Sequence, residues 1–303
     1  MTSQIKFNTN FDDFYVTWEC TTECNYSCSY CWPSCHDGRY RWPDSSKTNS
    51  VIKYLETASS GKKILVDIMG GEPTLWPELQ RFCNALYDIG GIVTFSSNGS
   101  RTVRWWKNFN APIDGLVFSF HPEYASIEHY IEIIKSVQYR YNTTIMILYH
   151  PLFKEKCLNA WNAFTSNGIY EINVQMKKIY SSDIEYNNDD KNILSYEYSN
   201  STIKKINCQM DLFMNDIIVS PRNLIASGKN LFFNLNCQLG NNYRYITANG
   251  DVFGASCSTA RKYPMGNVYN NSGIIDPPIV KCNDSSCGCY VDLVLNTKWY
   301  TRE

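Results

Sequence analysis

From Phe14 to Ile179 the chain alternates short strand-like runs with longer segments of helical periodicity, and this order restricts the fold more than any other feature. The strand-like runs are FYVTWE (14–19), KILVDIMG (63–70), GIVTFSS (91–97), GLVFSF (115–120), TTIMILYH (143–150) and EINVQMKKI (171–179). Helical spacing of apolar residues marks 46–59, 77–90, 102–109, 126–140 and 154–168. Thr102 and Ser126 are placed to cap helix N-termini, and Gly90 and Gly168 suit the left-handed position after a helix. Six βα-type units in series predict an α/β fold with a parallel sheet, and right-handed crossovers would roll it into a partial (β/α)6 TIM-like barrel. In such a barrel functional residues collect at the C-terminal ends of the strands.

Past residue 180 the pattern changes. Residues 181–192, SSDIEYNNDDKN, are polar and read as a connection; ITANGDVF (246–253) reads as a β-hairpin turning on Asn249-Gly250, followed by the cysteine-rich KCNDSSCGCYVD. The expected organisation is therefore a barrel over residues 1–180 and a small cysteine-rich β-hairpin/helix extension over 181–303.

A chain of 303 residues with 44% hydrophobic content can bury a large core without staples. A net charge of -1 supplies no bulk attraction to nucleic acid or to anionic lipid. The first twenty residues lack the basic and apolar segments of a signal peptide, and no later stretch stays apolar for a membrane span, so the expected location is the cytoplasm. Thirteen cysteines, an odd number in a chain of this size, fit thiolate ligation in a reducing compartment better than a secreted disulfide framework.

Five of those cysteines fall between Trp18 and Cys35, and only Cys24, Cys28 and Cys31 have the spacing C-x3-C-x2-C. A loop that offers three thiolates to an iron-sulfur cubane leaves the fourth iron open, and an open metal position is where a bound small molecule can react. The competing readings are a zinc site completed by Cys20, Cys35 or His36, and a disulfide cluster. Cys20 and Cys35 lie outside the triplet and are expected to pack around it.

With Tyr30 just before the third cysteine, the triplet resembles the signature of the radical S-adenosylmethionine (radical SAM) superfamily, over residues 14 to 180. A second motif supports the resemblance: Gly70, Gly71, Glu72 and Pro73 follow the second strand, where that family places a Gly-rich turn whose backbone and Glu receive the amino group of the cosubstrate's methionine moiety. The resemblance implies a 4Fe-4S cluster on Cys24, Cys28 and Cys31. It also implies S-adenosyl-L-methionine as cosubstrate, with Tyr30 and the strand-end residues Ser97, Asn98, Ser119 and His121 beside it. His121, Glu123, His150, Lys177 and Lys178 are candidates for substrate contact or proton transfer, against capping for the histidines and solvated-surface roles for the charged residues.

In the last quarter, Cys237, Cys257, Cys282, Cys287 and Cys289 resemble the auxiliary-cluster extensions called Twitch and SPASM. There are too few cysteines for two further clusters, so one auxiliary 4Fe-4S cluster is expected, on Cys237, Cys257, Cys282 and either Cys287 or Cys289. A zinc site is the alternative there. The family resemblance implies reductive cleavage of the cosubstrate to a 5'-deoxyadenosyl radical, which abstracts hydrogen from a small-molecule or short-peptide substrate. An electron donor such as flavodoxin or ferredoxin is the implied partner. The start of the sequence offers no leader-peptide-binding domain, which tilts the expectation from a SPASM-type peptide maturase toward a small molecule or a short peptide. A non-catalytic iron-sulfur or zinc protein is the other alternative, and it gives GGEP no purpose.

Overall fold

The computed structural model describes residues 6–8, 13–166, 172–179, 181, 183–200, 211–214, 217–219, 230–270, 273–276, 279–287 and 299–300. Gly168 and Cys289 lie outside them. The chain divides into two compact units, one of residues 1–19, 43–66 and 205–303 and one of residues 20–42 and 67–204.

In chain order the elements are β1 (Lys6–Asn8), β2 (Phe14–Thr21), α1 (Ser45–Ala58), β3 (Ile64–Gly70), α2 (Leu79–Asp88), β4 (Ile92–Ser97), α3 (Val103–Asn108) and β5 (Gly115–Phe120). They continue with α4 (Ile127–Val137), β6 (Asn142–Tyr149), α5 (Lys154–Ser166), β7 (Asn173–Lys178) and α6 (Asn188–Asn200). The remaining strands are β8 (Asp211–Met214), β9 (Ile217–Val219), β10 (Asn236–Gln238), β11 (Tyr243–Ile246), β12 (Asp251–Phe253), β13 (Gly266–Asn267), β14 (Ile279–Lys281) and β15 (Trp299–Tyr300).

Strands β2 to β7 lie side by side in chain order within a sheet ordered β13-β12-β11-β2-β3-β4-β5-β6-β7. Neighbours from β4 to β7 are parallel. The fold is mixed α/β, as a partial barrel requires, and among the described residues the sheet does not close on itself.

In the unit of residues 20–42 and 67–204, burial alternates along the strands. Val93 and Phe95 of β4, Leu116, Phe118 and Phe120 of β5, and Ile145 and Ile147 of β6 are buried. Tyr130, Ile133, Ile134 and Val137 of α4 are buried at the three- and four-residue spacing of one helix face. Phe118 meets Trp106 and Tyr130 edge-on, and Phe120 meets Tyr130 and Phe164 the same way. Each such ring contributes about 1.5–3 kcal/mol by burial, and together they fix which strand face looks toward the helices. The intervening residues, Thr94, Ser96, Val117, Ser119, Thr144 and Met146 among them, form the other face and stay half-buried.

The helices begin where the sequence provides caps: Thr102 accepts from Trp105 N–H at 3.2 Å and Ser126 from His129 N–H at 3.3 Å. After α2, Gly90 takes φ +79°. One segment departs from expectation. Instead of a polar connection through 192, α6 starts at Asn188, because Asn187 Oδ1 accepts from Asp190 N–H at 2.9 Å while Asp190 accepts from Asn187 N–H at 3.0 Å. That reciprocal cap, with Asp189 and Asp190 in the first turn, favours a helix in an otherwise polar run.

In the other unit, β11 and β12 form the expected hairpin, with Tyr245 opposite Phe253. Its turn spans Thr247 to Gly250, closed by Gly250 N–H donating to Thr247 O at 2.8 Å, and Gly250 sits at φ +89°. β10 pairs antiparallel with β14, setting Cys237 opposite Val280.

Candidate active site

Cys24, Cys28 and Cys31 lie in the loop that follows β2, Cys28 buried and the other two half-buried. The Cys24 sulfur accepts Tyr26 N–H at 3.4 Å and Asn98 Nδ2–H at 3.8 Å. Burial pushes the Cys28 thiol up to about 11 and raises Cys24 as well. The Cys31 thiol is raised by its hydrogen bond to Cys35, then by burial, then by the charges of Cys35, Cys28 and Cys24. The three thiols, with Cys35, thus stand close enough to oppose one another's ionisation; ligating them to metal displaces their protons. Among the described residues no three His, Cys, Asp or Glu converge on a point that would hold a single metal ion. A cubane makes a different demand, since each of its thiolates binds a separate iron. Three neighbouring thiols in one loop, one of them already receiving two N–H donors, fit that group.

The GGEP turn is docked onto this loop. Gly71 N–H donates to Thr21 O and Glu72 N–H to Glu23 O, both at 2.8 Å. A Cβ on Gly70, at φ +138°, would lie 2.3 Å from Thr21 O, and one on Gly71 would lie 2.2 Å from Glu23 O. Both glycines are therefore required by the approach of two backbones. Glu72 is fully buried. Its Oε1 accepts from Thr74 N–H (3.0 Å), the Thr74 hydroxyl (2.5 Å) and the Ser97 hydroxyl (2.9 Å), and its Oε2 from Asn98 N–H (2.6 Å). Pro73 opens the short 3-10 turn that Glu72 caps. Burial raises the Glu72 carboxyl, and those hydrogen bonds only partly oppose the shift.

The loop after β5 holds the cysteine loop from another side. Glu123 accepts Ser29 N–H at 2.9 Å and also the Ser29 hydroxyl, and Tyr124 donates to Ser27 O at 3.0 Å. His121 Nδ1 lies 3.0 Å from the Tyr30 hydroxyl and 3.4 Å from the Cys28 sulfur. Burial lowers its pKa to about 4, so the imidazole is neutral at pH 7. Tyr30 sits between His121 and His150, its ring centroid 5.7 Å from that of His150. His150 is buried and accepts Leu152 N–H at 3.2 Å, capping the turn after β6.

Cys24, Cys28, Cys31, Tyr30, Gly70 to Pro73, Ser97, Asn98, His121 and Glu123 are thus knit into one assembly at the strand ends. Ser119 lies on the half-buried strand face, its carbonyl accepting the Tyr130 hydroxyl at 2.6 Å. Lys177 lies on β7 opposite Leu148, half-buried, while Lys178 places its ammonium over the Tyr186 ring. Sequence reasoning missed Asn25, which accepts from Asn98 and Ser100, and Tyr130, whose single hydroxyl proton is shared between Ser119 O and Asn98 O, the latter at 2.7 Å. No local motif marks either residue.

In the other unit Cys237 is buried in an apolar cluster with Leu239, Tyr245, Phe253 and Val280, against which Cys257 packs. The Cys257 sulfur accepts Ala260 N–H at 3.4 Å. Cys282 S–H points to Asp284 O at 3.8 Å, and Asn230 Nδ2–H donates to Cys287 O at 2.7 Å. Asp284, also missed, accepts the Ser258 hydroxyl and, at 3.2 Å, Thr259 N–H.

No curated protein sequence matches the chain. Among solved structures, anSMEcpe with bound AdoMet aligns with a TM-score of 0.53 at 13% identity, covering 84% of this chain and 78% of that one. Streptococcus suis SuiB bound to S-adenosylmethionine aligns at 0.54 and 13% identity, covering 86% and 62%. SuiB bound to precursor peptide SuiA aligns at 0.51 and 14% identity, covering 93% and 64%. At these identities the likeness is one of fold. Residues 18–156, which span the cysteine triplet and the GGEP turn, match the model of the Radical SAM superfamily.

Proposed function

We propose that this chain is a radical SAM enzyme that cleaves S-adenosylmethionine reductively and removes hydrogen from a small-molecule or short-peptide substrate, giving an oxidation or a rearrangement. Superfamily members are enzymes that use a 4Fe-4S cluster and S-adenosylmethionine. The observation that carries the reading is the docking of GGEP onto the C-x3-C-x2-C loop through Gly71 and Glu72 N–H groups. A non-catalytic metal site would need no such turn.

Cys24, Cys28 and Cys31 would hold the cluster, which when bound supplies the electron that splits the cosubstrate into methionine and a 5'-deoxyadenosyl radical. Glu72 fixes the turn against the end of β4, so Gly70, Gly71 and Pro73 present a rigid edge to the methionine moiety. Glu123 and Tyr124 tie the cysteine loop to the loop after β5 and so fix its position at the strand ends. Neutral His121 can exchange a hydrogen bond with the Tyr30 hydroxyl without bringing a positive charge beside Cys28. Ser97, Asn98 and Ser119 complete the cosubstrate side, and His150 and Lys177 remain candidates for the substrate side.

Residues 1–180 form the catalytic barrel in this reading. Residues 181–303 carry one auxiliary 4Fe-4S cluster of the Twitch kind on Cys237, Cys257, Cys282 and Cys287 or Cys289. Cys282 Sγ points to Asp284 O, and Asp284 in turn accepts Thr259 N–H two residues after Cys257, which ties the Cys257 and Cys282 segments together and supports the set. A flavodoxin or ferredoxin in the cytoplasm would deliver the electron. No helix of the described residues is long and apolar enough to cross a membrane. A ribosomal-peptide substrate is the second reading, favoured by the likeness of fold to SuiB in its precursor-peptide complex. Anaerobic reconstitution with iron and sulfide, then assay of 5'-deoxyadenosine with dithionite, tests the proposal; an iron-loaded chain that releases none overturns it.

A further inference from the structure

The helix-covered face of the parallel strands is mainly apolar, whereas the opposite face carries hydroxyls, amides, Lys177 and the acid Asp67. Register partners Ser96, Val117, Thr144 and Asn173 cross four strands on that face. Thr94 lies two residues before Ser96 on β4, and its hydroxyl donates to Asp67 Oδ1 at 2.8 Å, which places Asp67 of β3 on the same face.

Asp67 interrupts the apolar strand ILVDIMG. Protein surrounds its carboxyl group so closely that burial raises the pKa to about 6, although the residue as a whole keeps partial solvent access. The Thr94 hydroxyl is the one hydrogen-bond donor it meets among the described residues, and no cation stands near enough to offset the burial. A carboxylate offers about four acceptor positions, so most are left open. The acid is half-buried, so its remaining acceptor positions are reachable from the open face, and a carboxyl there is an uncommon choice inside the apolar run ILVDIMG. The arrangement gains a purpose if a ligand supplies the missing donors and charge.

We propose that Asp67, oriented by Thr94, is a substrate subsite that takes a primary ammonium group, so that the substrate of this enzyme is an amine. An ammonium offers three N–H donors and the counter-charge the site lacks, whereas a hydroxyl offers a single neutral donor. The side chain lies on the strand face opposite the helices, below the strand ends that carry GGEP and the cysteine loop, where a substrate would lie beneath the cosubstrate. The inference rests on the radical SAM reading and names the chemical class of its substrate.

The test uses the full chain, iron-loaded, with 2-aminoethanol as probe and ethylene glycol as its uncharged counterpart, binding followed by saturation-transfer NMR. Wild-type protein is expected to bind 2-aminoethanol at least tenfold more tightly than Asp67→Asn and about threefold more tightly than Thr94→Val, with no such difference for ethylene glycol. Equal binding of 2-aminoethanol by wild type and Asp67→Asn overturns the subsite, as does ethylene glycol binding as tightly as the amine. If Asp67→Asn does not fold, an unchanged affinity in Thr94→Val overturns it instead. Saturating S-adenosylmethionine is expected to leave the amine bound; displacement would assign the carboxyl to the cosubstrate. Iron content and the charge-transfer absorption of wild-type protein separate the two layers: a chain that takes up no iron fails the radical SAM reading, and an iron-loaded chain indifferent to 2-aminoethanol fails only the amine subsite.

Discussion

The two cysteine-rich regions reach their geometry by different routes. Cys24, Cys28 and Cys31 come from one loop, so their spacing along the chain already sets how far apart the sulfurs can be. Cys237 stands on β10, Cys257 follows β12, and Cys282 and Cys287 follow β14, so only tertiary structure brings them into one unit. The first set meets mainly polar neighbours: Asn98 and Tyr26 at Cys24, His121 at Cys28 and Cys35 at Cys31. Cys237 of the second set sits among Tyr245, Phe253 and Val280. A local motif prepares its own site, whereas a dispersed one depends on a correctly folded core.

Replacing Cys24, Cys28 and Cys31 together with Ala has the largest expected effect. Formation of 5'-deoxyadenosine should stop, and of about eight irons in the intact protein about four should stay with the absorption of thiolate-bound clusters. Retained cleavage would sink the site. A colourless variant holding one zinc would show that the second region is a zinc site and not an auxiliary cluster.

Glycines next to each region sharpen the contrast. Gly71→Ala puts a Cβ 2.2 Å from a backbone oxygen, Glu23 O, so the cysteine loop and the GGEP turn must separate. Iron on the first site should fall severely. Gly254→Ala puts its Cβ 2.8 Å from the Leu239 Cβ and 2.9 Å from Gly240 N, a clash at the hairpin beside Cys257. It should cost about 1–3 kcal/mol by overpacking and reduce only the irons of the tail. Iron counts in the two variants that fail to separate the regions would argue against independent sites.

The contrast in route also explains what was legible in the sequence. The six strands, the five helices between them, and the Thr102 and Ser126 caps follow from periodicity and local hydrogen bonding, and the structure has them. The triplet and GGEP are contiguous, so they could be read. Their docking through Thr21 and Glu23 could not, and neither could the role of Glu72 as a tie to Ser97 and Asn98. Asp67 did carry a signal, an acid inside ILVDIMG, but its pairing with Thr94 depends on a neighbouring strand. The start of α6 was readable in principle, since Asn187 and Asp190 have capping spacing, but the polar run concealed it.

Glu72 gives the first region a distinct dependence on pH. Its carboxyl is raised above the ordinary value of 4.5, chiefly by burial. A group raised in the folded state contributes stability that is fully present below its unfolded pKa and lost as pH rises through its folded pKa. Stability of wild-type protein should therefore decline as pH climbs above about 4.5, and Glu72→Gln should flatten that slope in unfolding midpoints taken from pH 4.5 to 8. An unchanged slope would place the titrating group elsewhere.

The smallest effect comes from one feature the two regions share. Glu123 accepts the backbone N–H and hydroxyl of Ser29 in the first region, and Asp284 accepts the Ser258 hydroxyl and Thr259 N–H in the second. In each case a carboxylate from a distant segment ties down a cysteine-bearing loop. Both sites are partly exposed, so each tie contributes about 1 kcal/mol, enough to change how long a cluster survives rather than whether it forms. Glu123→Ala should speed iron loss to a chelator from the first site alone, by about fivefold if the tie is lost fully in the opening step. Asp284→Ala should do the same for the tail alone, with Glu123→Gln and Asp284→Asn intermediate because an amide oxygen still accepts one donor. Accelerated loss from both sites in either variant would mean that the loops open together, and the two regions would then behave as one.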